Sequence, residues 1–392
     1  MSPTIIVAES GNDRISAGFG TYIIYALRAN PPIHLDSADA IVYAGHGDDE
    51  ISIGGTHGSY QLYAGNGNNV ITGSLVLSDA QIITGNGNDT IDITGAFRGS
   101  GPLTIYAGGG HNTIHAAADQ NEIHTGPGDD QIHASGMYST VSSIGGNNTI
   151  QLMGNGATLH TGAGDDRITA YLTGRFPGTQ NLLHLGDGNN TLTGHLSVGD
   201  YRLIAGGGDD QMNITGGSAK LEVLAGDGNN TVSISFKGDT FTLVTGAGED
   251  TIQAIDSTSG IFYVGEGNNT VSAGFGDDVI SAGAGNDTLA GGTGVNTILA
   301  GEGENTIIST GTDSIYTGSD RDLLQLSAGE GVATIHTFDS NDRIHLGSDA
   351  SFADLSVSQV GNDTFLSITT TNDLLAVLKN VQANSINSQI FV

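Results

Sequence analysis

A glycine-rich turn of the form Gly-x-Gly-x-(Asp/Asn)-x-(Ile/Leu/Val/Met) recurs sixteen times between Gly47 and Gly303. Early copies are Gly65-Asn66-Gly67-Asn68-Asn69-Val70-Ile71 and Gly85-Asn86-Gly87-Asn88-Asp89-Thr90-Ile91. Between second glycines the spacings run 20, 20, 23, 18, 18, 18, 24, 20, 20, 20, 19, then 9, 9, 9, 9. A fixed period at this scale rules out one spherical core, because each unit can bury its apolar face only against its neighbours. The expected fold is a solenoid. The acidic position also alternates through thirteen copies, from Asp49, Asn69, Asp89 and Asn112 to Asp250, Asn269 and Asp278.

The residue two after the acidic position is apolar in every copy, from Ile51 and Ile71 to Ile298 and Ile307. A second apolar column lies five residues before the second glycine, from Val42 and Leu62 to Leu243 and Phe262. The flanking residues are mostly polar, so each column marks the inward residue of a short strand with period-two alternation. The unit reads strand, glycine turn, strand, variable second turn. This predicts an all-β chain, a parallel β-helix or β-roll solenoid with coils of about 18–24 residues. A coil of 18 residues is two nonapeptides, and residues 271–309 show both halves. The chain is expected to divide into a long-coil β-helix over 1–270, a tandem nonapeptide β-roll over 271–321 and a C-terminal β-rich cap over 322–392. A cap is expected because an open solenoid end exposes an unpaired edge. A rival geometry puts two glycine turns in each ~40-residue coil, with Asp turns on one edge and Asn turns on the other.

Of the 392 residues 62 are glycine, and with no collagen period and only 6 prolines these glycines serve turns. A formal charge of −31 argues against nucleic acid and anionic membranes as partners and for cations. The absence of cysteine suits an extracellular protein without disulfides. The first ten residues have neither the basic segment nor the apolar core of a cleaved signal peptide. No stretch approaches the roughly 18–20 apolar residues of a membrane span. The expectation is a cytosolic protein or one exported without a cleaved N-terminal signal.

The stretch Gly283-Ala284-Gly285-Asn286-Asp287-Thr288-Leu289 and its neighbours resemble the Gly-Gly-x-Gly-x-Asp-x-apolar-x nonapeptides of RTX (hemolysin-type calcium-binding) proteins. The resemblance implies a calcium-loaded β-roll, secretion to the extracellular space, and an uncleaved type I secretion signal within 322–392. Carried over position by position, it makes Asp49, Asp89, Asp130, Asp166, Asp210, Asp250, Asp278 and Asp287 ligands of multiple calcium ions, with Asp13 a further candidate. Two features depart from the family pattern. Most coils carry a single such turn, and alternate copies have Asn in place of Asp.

Calcium takes six to eight oxygens and accepts carboxylates together with backbone carbonyls. A glycine-rich turn aims carbonyls inward at φ values closed to other residues. The Asn turns leave two readings open. Their amide oxygens could serve as neutral ligands in an ion-bearing gap, which halves the like-charge repulsion along the row. Alternatively they form amide ladders and hold no metal.

Three functions are consistent with such a rod. The first is a secreted calcium-binding solenoid with a structural, adhesive, surface or matrix role. The second is a polysaccharide lyase or epimerase using a β-helix cleft, and the third an ice-binding solenoid. An outward row that includes Tyr43, Tyr63, Tyr106, His124, His160 and His184 suits either sugar stacking and acid–base chemistry or plain cross-strand packing. Arg98 and Arg175, in the two longest second-turn insertions, could grip an acidic polysaccharide. Against an enzyme stand 3 lysines and 8 arginines spread along the chain and the absence of His-Glu-x-x-His and Gly-x-Ser-x-Gly motifs. Against ice binding, Glu50, Gln131 and Arg167 interrupt the threonine row that includes Thr90, Thr113 and Thr149.

Overall fold

The computed structural model describes residues 2–9, 14–27, 30–95, 101–173, 178–217, 219–238, 240–329, 331–347 and 350–392. It forms two compact units, Met1–Ile204 and Ala205–Val392. The described residues are strands and turns with two short 3-10 segments, Phe352–Asp354 and Ala383–Ser385.

In the first unit both strands of each coil pair in parallel with the coils before and after. On one face Val42 aligns with Leu62, Leu62 with Ile82 and Ile82 with Ile105. On the other Ile51 aligns with Ile71, Ile71 with Ile91 and Ile91 with Ile114. All of these side chains are buried. Each Ile or Leu so buried contributes roughly 1.5–3 kcal/mol, and stacking repeats that gain coil after coil in a narrow linear core. The chain is therefore a parallel β-solenoid, as the period indicated.

Register survives the irregular spacings. Ile91 aligns with Ile114 across 23 residues, and Ile168 with Leu192 across 24. The extra residues thus fall in the connections after strands Thr90–Gly95 and Arg167–Leu172. Arg98 and Arg175, in those connections, lie outside the described residues, as does Asp13. The solenoid also starts before the first complete glycine turn. Thr4–Val7 pairs with Gly20–Tyr25, and Ile15–Ala17 with Ile33–Asp36. In the sequence those coils are marked by Gly11-Asn12-Asp13-Arg14-Ile15 and by short alternations such as Ile33-His34-Leu35-Asp36.

The rival ~40-residue coil is overturned by the register. Asp49, Asn69 and Asp89 precede strands that pair directly, Glu50–Gly54 with Val70–Leu75 and Val70–Leu75 with Thr90–Gly95. Asp and Asn turns therefore stack on one edge, one above the other.

The second unit repeats the plan, with Met212 on Val232, Val232 on Ile252 and Ile252 on Val271. Its nonapeptide stretch corrects one expectation. Ile280 and Ile298 align with Phe262, not with Val271 and Leu289. Asp278 therefore lies on the opposite edge from Asn269, and Asp287 is the residue that stacks on Asn269. Of the thirteen alternating copies, the twelve from Asp49 to Asn269 belong to one edge, which Asp287 continues, while Asp278 opens a second series on the other edge with Asn296. At the C-terminal end, Leu355–Val360, Asp363–Ile368 and Leu374–Leu378 form an antiparallel meander. Its last strand pairs in parallel with Ala333–Ile335, and Phe391 bridges to Ile344. This is the β-rich cap.

Candidate metal centre

The turn that carries the acidic position needs glycine for two reasons. Gly67 sits at φ +122°, and a Cβ there would overlap the Gly47 carbonyl oxygen of the preceding coil. Only glycine tolerates both that backbone and that approach. The consequence is a tight turn whose carbonyls at the first and second glycines point at the side chain of the acidic position.

That side chain points inward. Asp49, Asn69, Asp89, Asn112, Asp130, Asn148, Asp166 and Asn190 are each 2% exposed or less, as are Asp210, Asn230, Asp250, Asn269 and Asp287 in the second unit. Within each unit they form a polarised ladder. The Asn69 backbone N–H donates to Asp89 Oδ1 at 2.8 Å, and the Asn69 Nδ2 donates to the same oxygen at 2.9 Å. Asn112 treats Asp130 the same way at 2.8 and 3.0 Å, and Asn148 treats Asp166 at 2.8 and 2.9 Å. In the other direction only the backbone reaches across. The Asp89 N–H donates to Asn112 Oδ1 at 3.2 Å, and the Asp130 N–H to Asn148 Oδ1 at 3.0 Å. The shorter bonds are those that end on a carboxylate, as charge assistance requires.

Asp and Asn turns differ in what remains unsatisfied. The Asn69 amide nitrogen also donates to the Gly65 and Gly67 carbonyls of its own turn at 3.3 and 3.1 Å. Asn230 does so to Gly226 and Gly228 at 3.2 and 3.1 Å, and Asn269 to Gly265 and Gly267 at 3.2 and 3.0 Å. Carboxylate and carboxamide have the same shape, so in an Asp turn the second carboxylate oxygen replaces that nitrogen. Oδ2 of Asp89, Asp130, Asp166, Asp250, Asp278 and Asp287 is buried without a hydrogen-bond partner, and for Asp49 neither oxygen has one. Asp210 holds the corresponding place, its N–H donating to Asn230 Oδ1 at 3.1 Å.

Burial pushes the Asp278 carboxyl up to about 7, with Asp277 adding to the rise, and the Asp49 carboxyl up to about 6, with Asp48 adding. Asp130, Asp166 and Asp287 are also raised, chiefly by burial. A buried carboxylate oxygen without a donor attracts a cation, and where it takes the place of the Asn nitrogen beside the glycine carbonyls it offers the donor set that calcium accepts. The residues fit the ion. Among the described residues no three His, Asp or Glu side chains converge on one point. An ion in these turns would be held by a carboxylate and main-chain carbonyls together.

Three buried aspartates were missed in the sequence. Asp322 and Asp342 continue the main edge, and Asp313 stacks after Asn296 on the other. Each precedes an apolar residue by two, at Leu324, Ile344 and Ile315, which was the available signal. Unlike the array aspartates, these are satisfied at both oxygens. Asp322 accepts from the Asn305 N–H at 2.9 Å and the Gly318 N–H at 3.2 Å. Asp342 accepts from the Asp322 and Asp339 N–H groups at 3.1 and 2.9 Å.

The position before the ladder residue forms a second, exposed row of reversed sense. The Asn68 N–H donates to Asp48 Oδ1 at 2.7 Å, the Asn88 N–H to Asn68 Oδ1 at 2.8 Å, and the Asn147 N–H to Asp129 Oδ1 at 2.7 Å. The aromatic row lies on the outer sheet face as stacked pairs, Tyr43–Tyr63 at 5.0 Å and Tyr106–His124 at 4.9 Å, with His160–His184 edge-on at 5.7 Å.

Fold and site together define a parallel β-solenoid whose edge carries inward-facing Asp and Asn side chains at successive coils from Asp49 onward. The family model described as RTX calcium-binding nonapeptide repeat (4 copies) matches residues 5–25, 61–75, 104–136, 153–171, 263–298 and 290–324. The chain thus carries calcium-binding RTX repeats. Asp130, Asp166, Asp278 and Asp287 fall inside the matched residues, while Asp49, Asp89, Asp210 and Asp250 are tied to them by ladder position. A comparison with curated proteins finds no match. No helix among the described residues is long and apolar enough to cross a membrane.

Proposed function

We propose that the protein is a secreted, calcium-stabilised solenoid with a structural or adhesive role at a cell surface or in an extracellular matrix. Asp49, Asp89, Asp130, Asp166, Asp210, Asp250, Asp278 and Asp287 ligate the calcium ions. The observation that carries this reading is the repeated buried carboxylate oxygen without a partner, in turns of the type matched by the calcium-binding repeat. A structural role is supported by how much of the described chain is spent on coil strands and turns. In this reading residues 1–270 are a long-coil part and 271–321 a nonapeptide part, and 322–392 form a cap and direct export. The outer faces then meet polysaccharide or cell surface.

The test is a calcium titration of the chelated protein, followed by far-ultraviolet circular dichroism and thermal unfolding. Calcium should restore β signal and raise the unfolding midpoint. A β signal and midpoint identical in chelator and in calcium would sink the proposal.

A further inference from the structure

The alternation of Asp and Asn assigns opposite roles to successive gaps along the edge. Between an Asn coil and the following Asp coil, the amide nitrogen supplies the positive end. Asn69 Nδ2 reaches Gly65 O, Gly67 O and Asp89 Oδ1, all from one atom. Asn112 Nδ2 does the same with Gly108 O, Gly110 O and Asp130 Oδ1 at 3.2, 3.3 and 3.0 Å. Three oxygens thus converge on one N–H₂ group, and that gap is closed without any ion.

Between an Asp coil and the following Asn coil the nitrogen is replaced by oxygen. Around Asp89, the equivalents of those partners are Gly85 O, Gly87 O and Asn112 Oδ1. Asp89 Oδ2, which takes the place of the amide nitrogen, is buried and has no partner. The Asn112 Oδ1 accepts one hydrogen bond, from the Asp89 N–H, and keeps a second lone pair. Where Thr occupies the start of the turn, a hydroxyl joins this set. Thr125 lies beside Asp130, and the buried Oγ1 atoms of Thr125 and of Thr84, at the start of the Asp89 turn, have no well-formed partner.

We propose that the Asn carboxamide is a built-in substitute for a cation, so that metal ions occupy only the gaps that run from an Asp coil to the next Asn coil. In those gaps the Asn amide oxygen is itself a ligand, beside the Asp carboxylate and the two glycine carbonyls. The array then takes one ion per pair of coils, and Asn turns hold together in metal-free protein. The identity of the ion rests on the calcium reading above, but the role of the amide does not.

Two opposite exchanges test this on the full chain. In chelator, Asp89→Asn places an N–H₂ group against Gly85 and Gly87. It should raise the unfolding midpoint, by roughly 2–4 °C for each kcal/mol gained. In calcium the same variant should bind one ion fewer by equilibrium dialysis. Asn112→Asp should lower the midpoint in chelator, recover it in calcium and bind one ion more. An unchanged or lowered chelator midpoint for Asp89→Asn, or an unchanged ion count for Asn112→Asp, overturns the proposal. If the parent protein binds no calcium, the functional reading fails, and the chelator midpoints alone decide the role of the amide. An unchanged or lowered midpoint for Asp89→Asn there refutes it.

Discussion

Asp89 and Asp322 sit at the same step of the same kind of turn, yet they are different chemical objects. Both are buried, at 1% and 0% exposure, and both accept the backbone N–H of an Asn one coil earlier. At Asp322 the second oxygen accepts the Gly318 N–H at 3.2 Å. At Asp89 the second oxygen meets no donor. The difference begins in the turn. Asp89 follows Gly85-Asn86-Gly87, whereas Asp322 follows Gly318-Ser319-Asp320-Arg321 and lacks the second glycine. Gly318 still lies close over Gly301, but with Asp320 in place of the second glycine the turn presents the Gly318 N–H to its carboxylate. A burial value alone therefore does not identify a metal ligand; the missing donor does.

Removing calcium should break this comparison most forcefully. Each array site contributes about 2.7 kcal/mol when free calcium is ~100-fold above its dissociation constant. The summed loss over several sites is comparable with the stability of a whole domain. Hydrogen exchange in chelator should show the Asp89 and Asp130 turns opening while amides near Asp322 and Asp342 keep their protection. Equal loss of protection in both places would erase the distinction drawn between them.

Titration comes next in size. Burial raises Asp278 to about 7, and Asp49 and Asp342 to about 6, from an ordinary 3.8. A carboxyl with a raised folded value gives its full stabilisation below the unfolded value and loses it as pH rises through the folded one. Chelated protein should therefore lose stability between pH 4 and 7, the window set by these values. Calcium should suppress the part due to Asp49 and Asp278 by displacing their protons, but leave the part due to Asp342. Melting curves across pH, with and without calcium, separate the two. Rising stability of the chelated protein over that window would contradict the assignment of burial as the cause.

A smaller, calcium-blind effect is expected at Asp322→Asn. A carboxamide cannot accept at both of its ends, so either the Gly318 or the Asn305 N–H loses its acceptor. The cost should be about 1–3 kcal/mol, the same in calcium and in chelator. Denaturant unfolding of the variant in both conditions reads it directly. A loss confined to calcium would make Asp322 a metal ligand after all.

Most of the fold was legible because it is a repeat. Both apolar columns, the inward acidic position and the strand–turn–strand unit follow from period alone, and the register bore each of them out in both units. Two things were not legible. The coils before Gly45 lack the complete double-glycine turn, so only Gly11-Asn12-Asp13-Arg14-Ile15 and a few alternating residues such as Ile33 and Leu35 announce them. Nor does the sequence say which edge a nine-residue turn occupies. Asp278 looked like the next step after Asn269 because both steps obey the same pattern, and only strand pairing places it opposite. The donor that separates Asp322 from Asp89 is a backbone N–H, which every residue carries; its direction is a property of the folded turn.

The least of the expected effects concerns the outer face, where the comparison between buried turns no longer applies. Tyr43 and Tyr63 stack at 5.0 Å with planes 8° apart, and Tyr25 stacks on Tyr43 at 5.3 Å. Such geometry is what parallel in-register strands impose on like residues, so packing accounts for the row without a ligand. Tyr63→Ala should cost about 0.5–1.5 kcal/mol beyond its lost area. The loss should be equal in calcium and in chelator, since the stacking is between rings of neighbouring strands and involves no group of the Asp turn. Thermal unfolding in the two conditions measures it. A variant that keeps its unfolding midpoint yet no longer adsorbs to a polysaccharide matrix that retains the parent would instead make this row a recognition surface. The calcium edge would then serve only to hold the rings one strand apart.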